Sequence, residues 1–385
     1  MTAMFTRILR PPKSSFFLFG PRGSGKTTWL RENFRDAYRV DLLDEALYQR
    51  YLADVSVFDR ELRARPAGSW VVVDEIQRLP SLLNEVHRAI EERKQRFALT
   101  GSSARKFRRA GVNLLAGRAV RRTMYPFAPE ELGAAFELDR ALRSGTLPLI
   151  WESEDPEDTL AAYVRMYLKE EIQAEAVVRN LPGFARFLPI AALLHGQSLN
   201  TSNIARDAGV ARTTVNGYVQ ILQDTLIASL LPAFEGKLRV RERRHPKLYF
   251  VDPGLVRALK GAKGVPLAEE RGALLEGFVH MLLCLYRDSR GLCDDLHYWA
   301  PAEAQATEVD FLASRGQEHF AIEVKSSARV RDEHFRGLRA VDGLKGLKAR
   351  LLVHLGVETG RTADGIDVLP FGSFCDRLAR GSLAR

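Results

Sequence analysis

Residues 20–27 read G-P-R-G-S-G-K-T and directly follow the apolar run F-F-L-F at residues 16–19. This order predicts a buried strand, a phosphate-binding loop and then a helix. Glycine leaves the backbone free to wrap an anion, so loop amides and the helix N-terminus can point at phosphate oxygens. The alternative is a glycine-rich turn that precedes a helix by chance. The predicted ATP-binding residues are Gly20, Pro21, Arg22, Gly23, Ser24, Gly25, Lys26, Thr27 and Thr28.

Four side chains have predicted roles in ATP chemistry. Lys26 would pair with the β- and γ-phosphates, and the Thr27 hydroxyl would ligate Mg²⁺. A second run, W-V-V-V-D-E at residues 70–75, is apolar enough for a central parallel strand buried on both faces. At its end, Asp74 would hold the magnesium ion and Glu75 would polarise the water that attacks the γ-phosphate. Without the loop, an Asp-Glu pair at a strand end would equally suit a helix N-cap.

A third strand is predicted at residues 97–100, and it leads into G-S-S at residues 101–103. Hydroxyl groups at this strand end would lie beside the two carboxylates. Either Thr100 or Ser102 would sense the γ-phosphate, and the sequence does not distinguish between them.

The composition indicates a globular protein of several domains. The chain has 385 residues, of which 46% are hydrophobic and 27% charged, enough for two or three cores. No apolar stretch approaches the length of a membrane span. Three cysteines without metal-ligand spacing indicate neither a disulfide framework nor a zinc site. We therefore expect a cytoplasmic protein with no membrane partner.

The positive charge is concentrated in the first part of the chain. The net charge is +9, and residues 1–150 hold 26 Lys and Arg against 17 Asp and Glu. Residues 105–122 contain seven basic and no acidic residues. Such a block suits a polyanion, either a nucleic acid backbone or the nucleotide of a neighbouring subunit, and it equally suits a solvated surface loop.

A change in composition marks the first domain boundary. The acidic, proline-broken stretch W-E-S-E-D-P-E-D at residues 151–158 follows S-G-T-L-P at residues 144–148. Apolar spacing beyond it predicts connecting helices over 159–176 and 184–194. We expect three domains, over residues 1–150, 151–262 and 263–385.

The middle domain is predicted to be a winged helix. Residues 200–225 read as a helix capped by Thr201 or Ser202, a turn and a second helix, followed by wing strands at 226–234 and 247–251. Positive charge concentrates between these strands, at Lys237, Arg239, Arg241, Arg243, Arg244 and Lys247. The predicted DNA-binding residues are Arg212, Thr213, Asn216, Arg239, Arg241 and Arg243. The alternative is a winged helix that makes only protein contacts.

The last domain contains a predicted site for a second divalent ion, Mg²⁺ or Mn²⁺. Glu276 lies in an apolar helix over 272–286, where a carboxylate needs a partner. Asp310 and Glu323 lie on two strands of a predicted hairpin and could share the ion, with Lys325 beside them to orient or deprotonate water. Alternatively, Glu323 and Lys325 form an ion pair on one strand face. Further strands at 350–355 and 366–370 complete an α/β sheet with helices on its faces.

These motifs resemble the AAA+ ATPases, and most closely a prokaryotic group in which a short ATPase module precedes a domain of unknown function. The resemblance rests on G-P-R-G-S-G-K-T, V-V-V-D-E-I-Q, L-T-G-S-S and N-L-L-A-G-R, and it extends over almost the whole chain. It implies a homo-oligomer in which a neighbouring subunit supplies an arginine. Arg118 is the implied residue, and Arg105, Arg108 and Arg109 compete for the role.

The C-terminal set resembles the PD-(D/E)XK nuclease fold. Glu276, Asp310, Glu323 and Lys325 match its pattern, with Val309 where the strongest examples have proline. The whole sequence thus predicts a P-loop AAA+ domain, a winged helix and a restriction-endonuclease-like domain in a Mg²⁺-dependent ATP hydrolase that acts on DNA. One alternative is an ATP-switched scaffold for DNA or protein, and another is an ATP-regulated, metal-dependent DNase.

Overall fold

The computed structural model describes residues 5–101, 117–167, 180–235, 244–302 and 307–384. The chain forms two compact units. One comprises Leu9–Tyr125 with Asp224–Leu226, and the other comprises Pro126–Gln223 and Ile227–Arg385 with the N-terminal residues up to Ile8.

The first unit is built on a five-stranded parallel sheet. Its strands are β1 (Phe16–Phe19), β2 (Tyr38–Asp41), β3 (Trp70–Asp74), β4 (Arg96–Gly101) and β5 (Val120–Thr123). They lie in the order β2-β3-β4-β1-β5, and every adjacent pair is parallel. Among the described residues of this unit, the helices beside the sheet are α1 (Lys26–Asn33), α2 (Glu45–Ala53), α3 (Ser56–Arg63) and α4 (Leu82–Arg93). The predicted α/β fold with a parallel P-loop sheet is confirmed.

The strands of this sheet are apolar because both faces are covered. Alternate residues of β1 enter different clusters, with Phe17 and Phe19 in one and Phe16 and Leu18 in the other. Val72 and Val73 on β3 divide in the same way. Because β1, β3 and β4 are parallel, their carboxyl ends lie at one edge of this doubly covered sheet.

The second unit begins with short helices and continues into a helix-turn-helix segment. The early helices are α5 (Pro129–Leu132), α6 (Leu138–Ser144), α7 (Pro148–Trp151) and α8 (Pro156–Ala162), the last followed by a π-helical turn at Tyr163–Tyr167. After them come α9 (Leu181–Leu193), α10 (Thr201–Ala208) and α11 (Arg212–Asp224).

The turn between α10 and α11 is made by Gly209, whose φ of 63° favours glycine. The prediction that Thr201 or Ser202 caps α10 was wrong. The cap is Asn200, whose side chain accepts hydrogen bonds from the amides of Ser202 and Asn203. An Asn side chain reaches the second and third helical amides as well as a hydroxyl does.

A small antiparallel sheet is formed by one strand before the helix pair and two strands after it. It consists of β6 (Gln197–Ser198), β7 (Ala228–Leu231) and β8 (Lys247–Phe250), with β8 in the middle. All four residues of β8 are buried, including its first residue, Lys247. Ser198 of β6 and Leu231 of β7 pair with Lys247 from opposite sides.

The C-terminal part of the second unit contains a six-stranded mixed sheet. Its strands are β9 (Asp295–Trp299), β10 (Val309–Arg315), β11 (Glu318–Lys325), β12 (Leu347–His354), β13 (Gly360–Arg361) and β14 (Asp367–Pro370). The order is β13-β14-β12-β11-β10-β9. β10 and β11 form an antiparallel hairpin, whereas β12 is parallel to both β11 and β14. The helices are α12 (Pro253–Leu259), α13 (Ala268–Arg290), α14 (Arg336–Ala340) and α15 (Phe371–Ala379).

Asp252 connects two distant segments of the second unit. Its carboxylate is fully buried and caps α12 by accepting from the amides of Gly254 and Leu255. It also accepts from the amides of Thr146, at 2.7 Å, and Leu147, at 3.1 Å. Four backbone donors in the interior thus depend on one side chain.

A helix glycine allows a close contact beside the mixed sheet. A Cβ atom on Gly277 of α13 would lie 2.0 Å from Nε2 of His195, which is itself buried. Burial lowers the pKa of His195 to about 4 and that of His280, on the same helix, to about 3. Both rings are therefore neutral at physiological pH.

Within the described ranges, no helix has the length and hydropathy needed to cross a membrane.

Candidate functional site

The phosphate loop has the geometry that its glycines predict. Gly23 and Gly25 have φ values of 73° and 87°, in the left-handed region that favours glycine. A Cβ atom on Gly20 would lie 2.5 Å from the carbonyl oxygen of Met124. β1 ends at Phe19 and α1 begins at Lys26, as expected. The backbone therefore turns tightly between the strand and the helix N-terminus.

Lys26 lies over the loop that precedes its own helix. Its ammonium group donates to the carbonyl oxygens of Gly20, at 2.8 Å, and Pro21, at 3.1 Å. The residue is only 8% exposed. These contacts hold a positive charge where the phosphates of a nucleotide would be bound.

The end of β3 contacts the start of α1. The Thr27 hydroxyl donates to Oδ2 of Asp74 at 2.8 Å, and the Thr100 hydroxyl donates to the other oxygen, Oδ1. The Thr100 oxygen also accepts from the Glu75 amide at 3.1 Å. A hydroxyl and a carboxylate oxygen beside a lysine and a phosphate loop are the donors that Mg²⁺ bound to ATP requires. The residues present therefore fit both the triphosphate of ATP and its Mg²⁺ ion.

Glu75 has an unusual backbone conformation. Its φ of 56° is in the left-handed region, which is uncommon for residues other than glycine. The amide group of Gln77 donates to its carboxylate. This turn directs the chain away from the strand immediately after Asp74, and such conformations cluster at functional sites.

Arg118 lies on the surface of the first unit and forms an ion pair with Glu91 of α4. Its side chain is 36% exposed. Arg105, Arg108, Arg109 and Ser102 lie outside the described residues. The assignment of Arg118 as the arginine supplied to a neighbour stays a prediction.

The mixed sheet and α13 of the second unit bring together the four residues of the predicted second metal site, Glu276, Asp310, Glu323 and Lys325. Glu323 and Lys325 share a face of β11, and the Lys325 ammonium donates to Oε1 of Glu323 at 2.5 Å. Asp310 of β10 accepts from the Val324 amide at 2.8 Å, and its own amide faces Oε2 of Glu323 at 3.4 Å. The side chain of Glu276 on α13 completes the group through the contacts described next.

Sequence reasoning missed three members of this cluster. The Lys247 ammonium lies 2.9 Å from Oε1 of Glu276, also pairs with Glu308, and lies 4.0 Å from Oδ1 of Asp310. Tyr249 donates its hydroxyl to Glu276. Lys247, which the sequence groups with the basic residues of the predicted wing, is not part of an exposed basic surface, because its side chain is 5% exposed and faces carboxylates. The only signals in the sequence were the position of Glu308 beside Asp310 and the apolar L-Y-F that follows Lys247.

The buried charges shift one another's pKa values. Burial raises the pKa of Asp310 well above its ordinary value, and Glu323 and Glu276 add to the shift. Burial also raises the pKa of Glu323 to about 7, although Lys325 opposes it. Burial would raise the pKa of Glu276 too, but Lys247 and Tyr249 outweigh it and lower that pKa. The pKa values of Asp310 and Glu276 are therefore shifted in opposite directions within one cluster.

The outer face of α11 is polar and accessible. Arg212, Thr213 and Asn216 are exposed, and Nε of Arg212 donates to the Thr201 hydroxyl at 3.2 Å. A cleft of about 630 Å³ runs between this helix and the small sheet, lined by Arg212, Asn216 and His245 among others. Arg239, Arg241 and Arg243 lie outside the described residues. Contact of this face with DNA stays a prediction.

Comparison with protein families identifies the first module. Residues 12–133 match the model of the AAA domain. These residues form an AAA domain. ATP binding is assigned to it, because it contains the loop, Asp74 and Thr100. Residues 135–265 and 271–374 match two domains of unknown function, DUF8612 and DUF4143.

Two mycobacterial proteins are similar to most of the chain. The chain is 28% identical over 322 residues to two uncharacterized proteins, Mb2031c of Mycobacterium bovis and Rv2008c of Mycobacterium tuberculosis, covering 81% of this chain and 70% of theirs. Among solved structures, it resembles the Aeropyrum pernix ORC1 protein in complex with DNA, with 14% identity, a TM-score of 0.28, and 65% and 87% of the two chains covered. Protein VC1899 from Vibrio cholerae is 15% identical with a TM-score of 0.22, covering 95% and 96%. Similarity at these TM-scores supports no statement about function.

Proposed function

We propose that this protein hydrolyses ATP in its AAA domain and uses the nucleotide cycle to act on DNA. The observation that carries the first part is the contact between the Thr27 hydroxyl and the Asp74 carboxylate, beside Lys26 and the phosphate loop. Helix, loop and strand end each supply one element of a site for a magnesium-bound triphosphate.

The residues of this site have separate tasks. The loop amides and the Lys26 ammonium bind and orient the β- and γ-phosphates. Mg²⁺, held by Thr27 and Asp74, would neutralise the charge that develops on the phosphate oxygens. Glu75 takes the proton of the attacking water, and its turned backbone places its carboxylate beyond the strand end. Thr100 is a positioning residue that joins Asp74 to the Glu75 amide.

Arg118 is the residue that we propose a neighbouring subunit supplies to the transition state, which would make hydrolysis depend on a homo-oligomer. Its surface position supports this role, and its ion pair with Glu91 would have to open first. An arginine supplied in this way typically accelerates hydrolysis by about 10³-fold or more. Arg118→Ala should therefore bind ATP normally and lose the dependence of rate on protein concentration.

The ATPase proposal is tested by phosphate release and nucleotide binding measured side by side. Lys26→Ala should lose ATP affinity, because it removes the charge over the loop. Glu75→Gln should keep ATP affinity and lose about 10²-fold or more of the rate, as expected for removal of a general base. A Glu75→Gln protein that hydrolyses ATP at the wild-type rate would refute the assignment of the base.

Action on DNA is supported by the exposed polar face of α11 and by the basic sequence at residues 237–244. Short polar groups on the second helix of such a pair suit contact with base edges or phosphates. The test is a panel of duplex, single-stranded, forked and four-way-junction DNA scored for binding and for stimulation of ATP hydrolysis. An ATPase indifferent to all four would favour the alternative of an ATP-switched protein scaffold.

The further alternative, a metal-dependent DNase, is supported by the carboxylates and lysine on the β10–β11 hairpin. Asp310 and Glu323 would hold Mg²⁺ or Mn²⁺ with help from Glu276, and Lys325 would orient the attacking water. Incubation of DNA with the protein and either ion, compared with Asp310→Ala, tests this alternative. Equal cleavage by both proteins would reject it.

A further inference from the structure

Lys247 is a buried cation that belongs to a different part of the second unit from the carboxylates it contacts. It is the first residue of β8, the middle strand of the small sheet whose other strands, β6 and β7, lie before and after the helix-turn-helix segment in the chain. Its partners come from α13 and from the start of β10. The side chain also lies over the ring of Tyr298, with the ammonium 5.4 Å from the ring centre.

The three carboxylates around Lys247 are the set that can converge on one cation. Glu276, Glu308 and Asp310 each have an oxygen that lies within 4.8 Å of the oxygens of the other two. The same three residues are the ion-pair partners of the Lys247 ammonium. One positive charge is therefore already present where a divalent ion would be bound.

A divalent ion and this ammonium are incompatible neighbours. Mg²⁺ binds carboxylate oxygens at about 2.1 Å and needs room for further oxygen ligands, including water. The Lys247 ammonium already lies 2.9 Å from Oε1 of Glu276. A divalent ion bound beside this buried ammonium would be repelled by it with little screening. Lys325, by contrast, contacts Glu323 and is 31% exposed, so it can remain beside an ion without occupying its place.

We propose that Lys247 acts as the resident cation of this cluster and excludes divalent metal from it. The Lys247 ammonium supplies the positive charge at the position shared by the three carboxylates, and metal binding at that position requires the ammonium to leave. Because β8 pairs with both β6 and β7, the backbone of Lys247 is fixed in the small sheet, and its side chain must rotate out of the cluster for an ion to enter. This inference concerns a site separate from the AAA domain and does not rest on ATP hydrolysis.

The experiment measures Mn²⁺ binding to the full chain without nucleotide, by calorimetry and by electron paramagnetic resonance of the free ion. Lys247→Met keeps the aliphatic stem and removes the charge, so it should bind Mn²⁺ at least tenfold more tightly than the wild type. Lys325→Met is the matched control, because it removes one positive charge from the same cluster without clearing the shared position. Equal gains in the two variants would overturn the proposal and indicate a general charge effect.

A second comparison decides the matter without depending on how well Lys247→Met folds. Asp310→Asn is compared with the wild type, both with Lys247 in place. If Lys247 closes the site, the Mn²⁺ isotherm should be unchanged by Asp310→Asn. Loss of a bound ion on this substitution would show that the wild-type cluster is open to metal and would refute the inference. ATP binding is not read in either comparison, so failure here is distinct from failure of the ATPase proposal.

Discussion

Replacing Thr100 by valine tests how the ends of β3 and β4 cooperate in ATP hydrolysis. The substitution keeps the shape of a buried side chain but removes the hydroxyl that donates to Asp74 and accepts from the Glu75 amide. Thr100 is fully buried, so water cannot readily replace the lost group. The Glu75 amide would lose its acceptor at the position where the chain turns out of the strand.

The expected magnitude follows from these contacts. A hydrogen bond to a charged group contributes about 2 kcal/mol, and each 1.36 kcal/mol on the barrier corresponds to about a tenfold change in rate. If the lost bond acts mainly in the transition state, kcat should fall about 30-fold. KM should change little, because the loop and Lys26 still bind the phosphates.

The assay is steady-state phosphate release over a range of ATP concentrations. Thr100→Ser is the matched control, since it restores the hydroxyl and should recover most of kcat. A Thr100→Val enzyme with wild-type kcat, or a Thr100→Ser enzyme as slow as Thr100→Val, would refute the positioning role. The first result would also favour Ser102, the other residue considered as a γ-phosphate sensor.

Three further predictions concern stability and are measured by denaturant unfolding followed by fluorescence. Asp252→Ala should destabilise the protein by about 3 kcal/mol, because it removes one helix cap and two buried hydrogen bonds from the amides of Thr146 and Leu147. Gly277→Ala should destabilise it by about 2 kcal/mol through overpacking against His195, whereas Gly217→Ala, which meets open space within α11, should be neutral or stabilising. Because burial lowers the pKa of His195 to about 4 and that of His280 to about 3, these two rings should lower stability as the pH drops from about 6.5 towards 4, whereas Glu323, with a pKa of about 7, acts in the opposite direction. The loss of stability on acidification should therefore be smaller in His280→Phe than in the wild type, and equal losses in the two proteins would contradict the last prediction.

Short sequence separation explains why the arrangement of the loop, Lys26 and Asp74 could be predicted. The loop joins β1 and α1 without interruption, so glycine spacing alone specifies its backbone. Asp74 ends an apolar run, and parallel strands bring their carboxyl ends to one edge. The contact between Thr27 and Asp74 follows from these two local facts. Thr100 was one of two predicted alternatives, and the structure shows its hydroxyl at the Asp74 carboxylate.

Long-range pairing explains what the sequence could not reveal about the second unit. Lys247 stands close to several arginines along the chain, and a charge count treats them alike. Its burial depends on the pairing of β8 with two strands and on the position of α13, neither of which is encoded in neighbouring residues. The hairpin of β10 and β11 is local, so the shared face of Glu323 and Lys325 was predicted, and contact between them is confirmed.

The Asp252 carboxylate has a practical consequence for dissecting the chain into expression fragments. A fragment that stops near residue 150 would retain the amides of Thr146 and Leu147 but lose the side chain that receives them. Gly145, whose Cβ would overlap Asp252, would likewise face an empty space. A fragment that ends at residue 125 lacks both the amides of Thr146 and Leu147 and the Asp252 side chain, so it exposes neither half of this contact. We expect it to resist proteolysis better than a fragment that ends at residue 150.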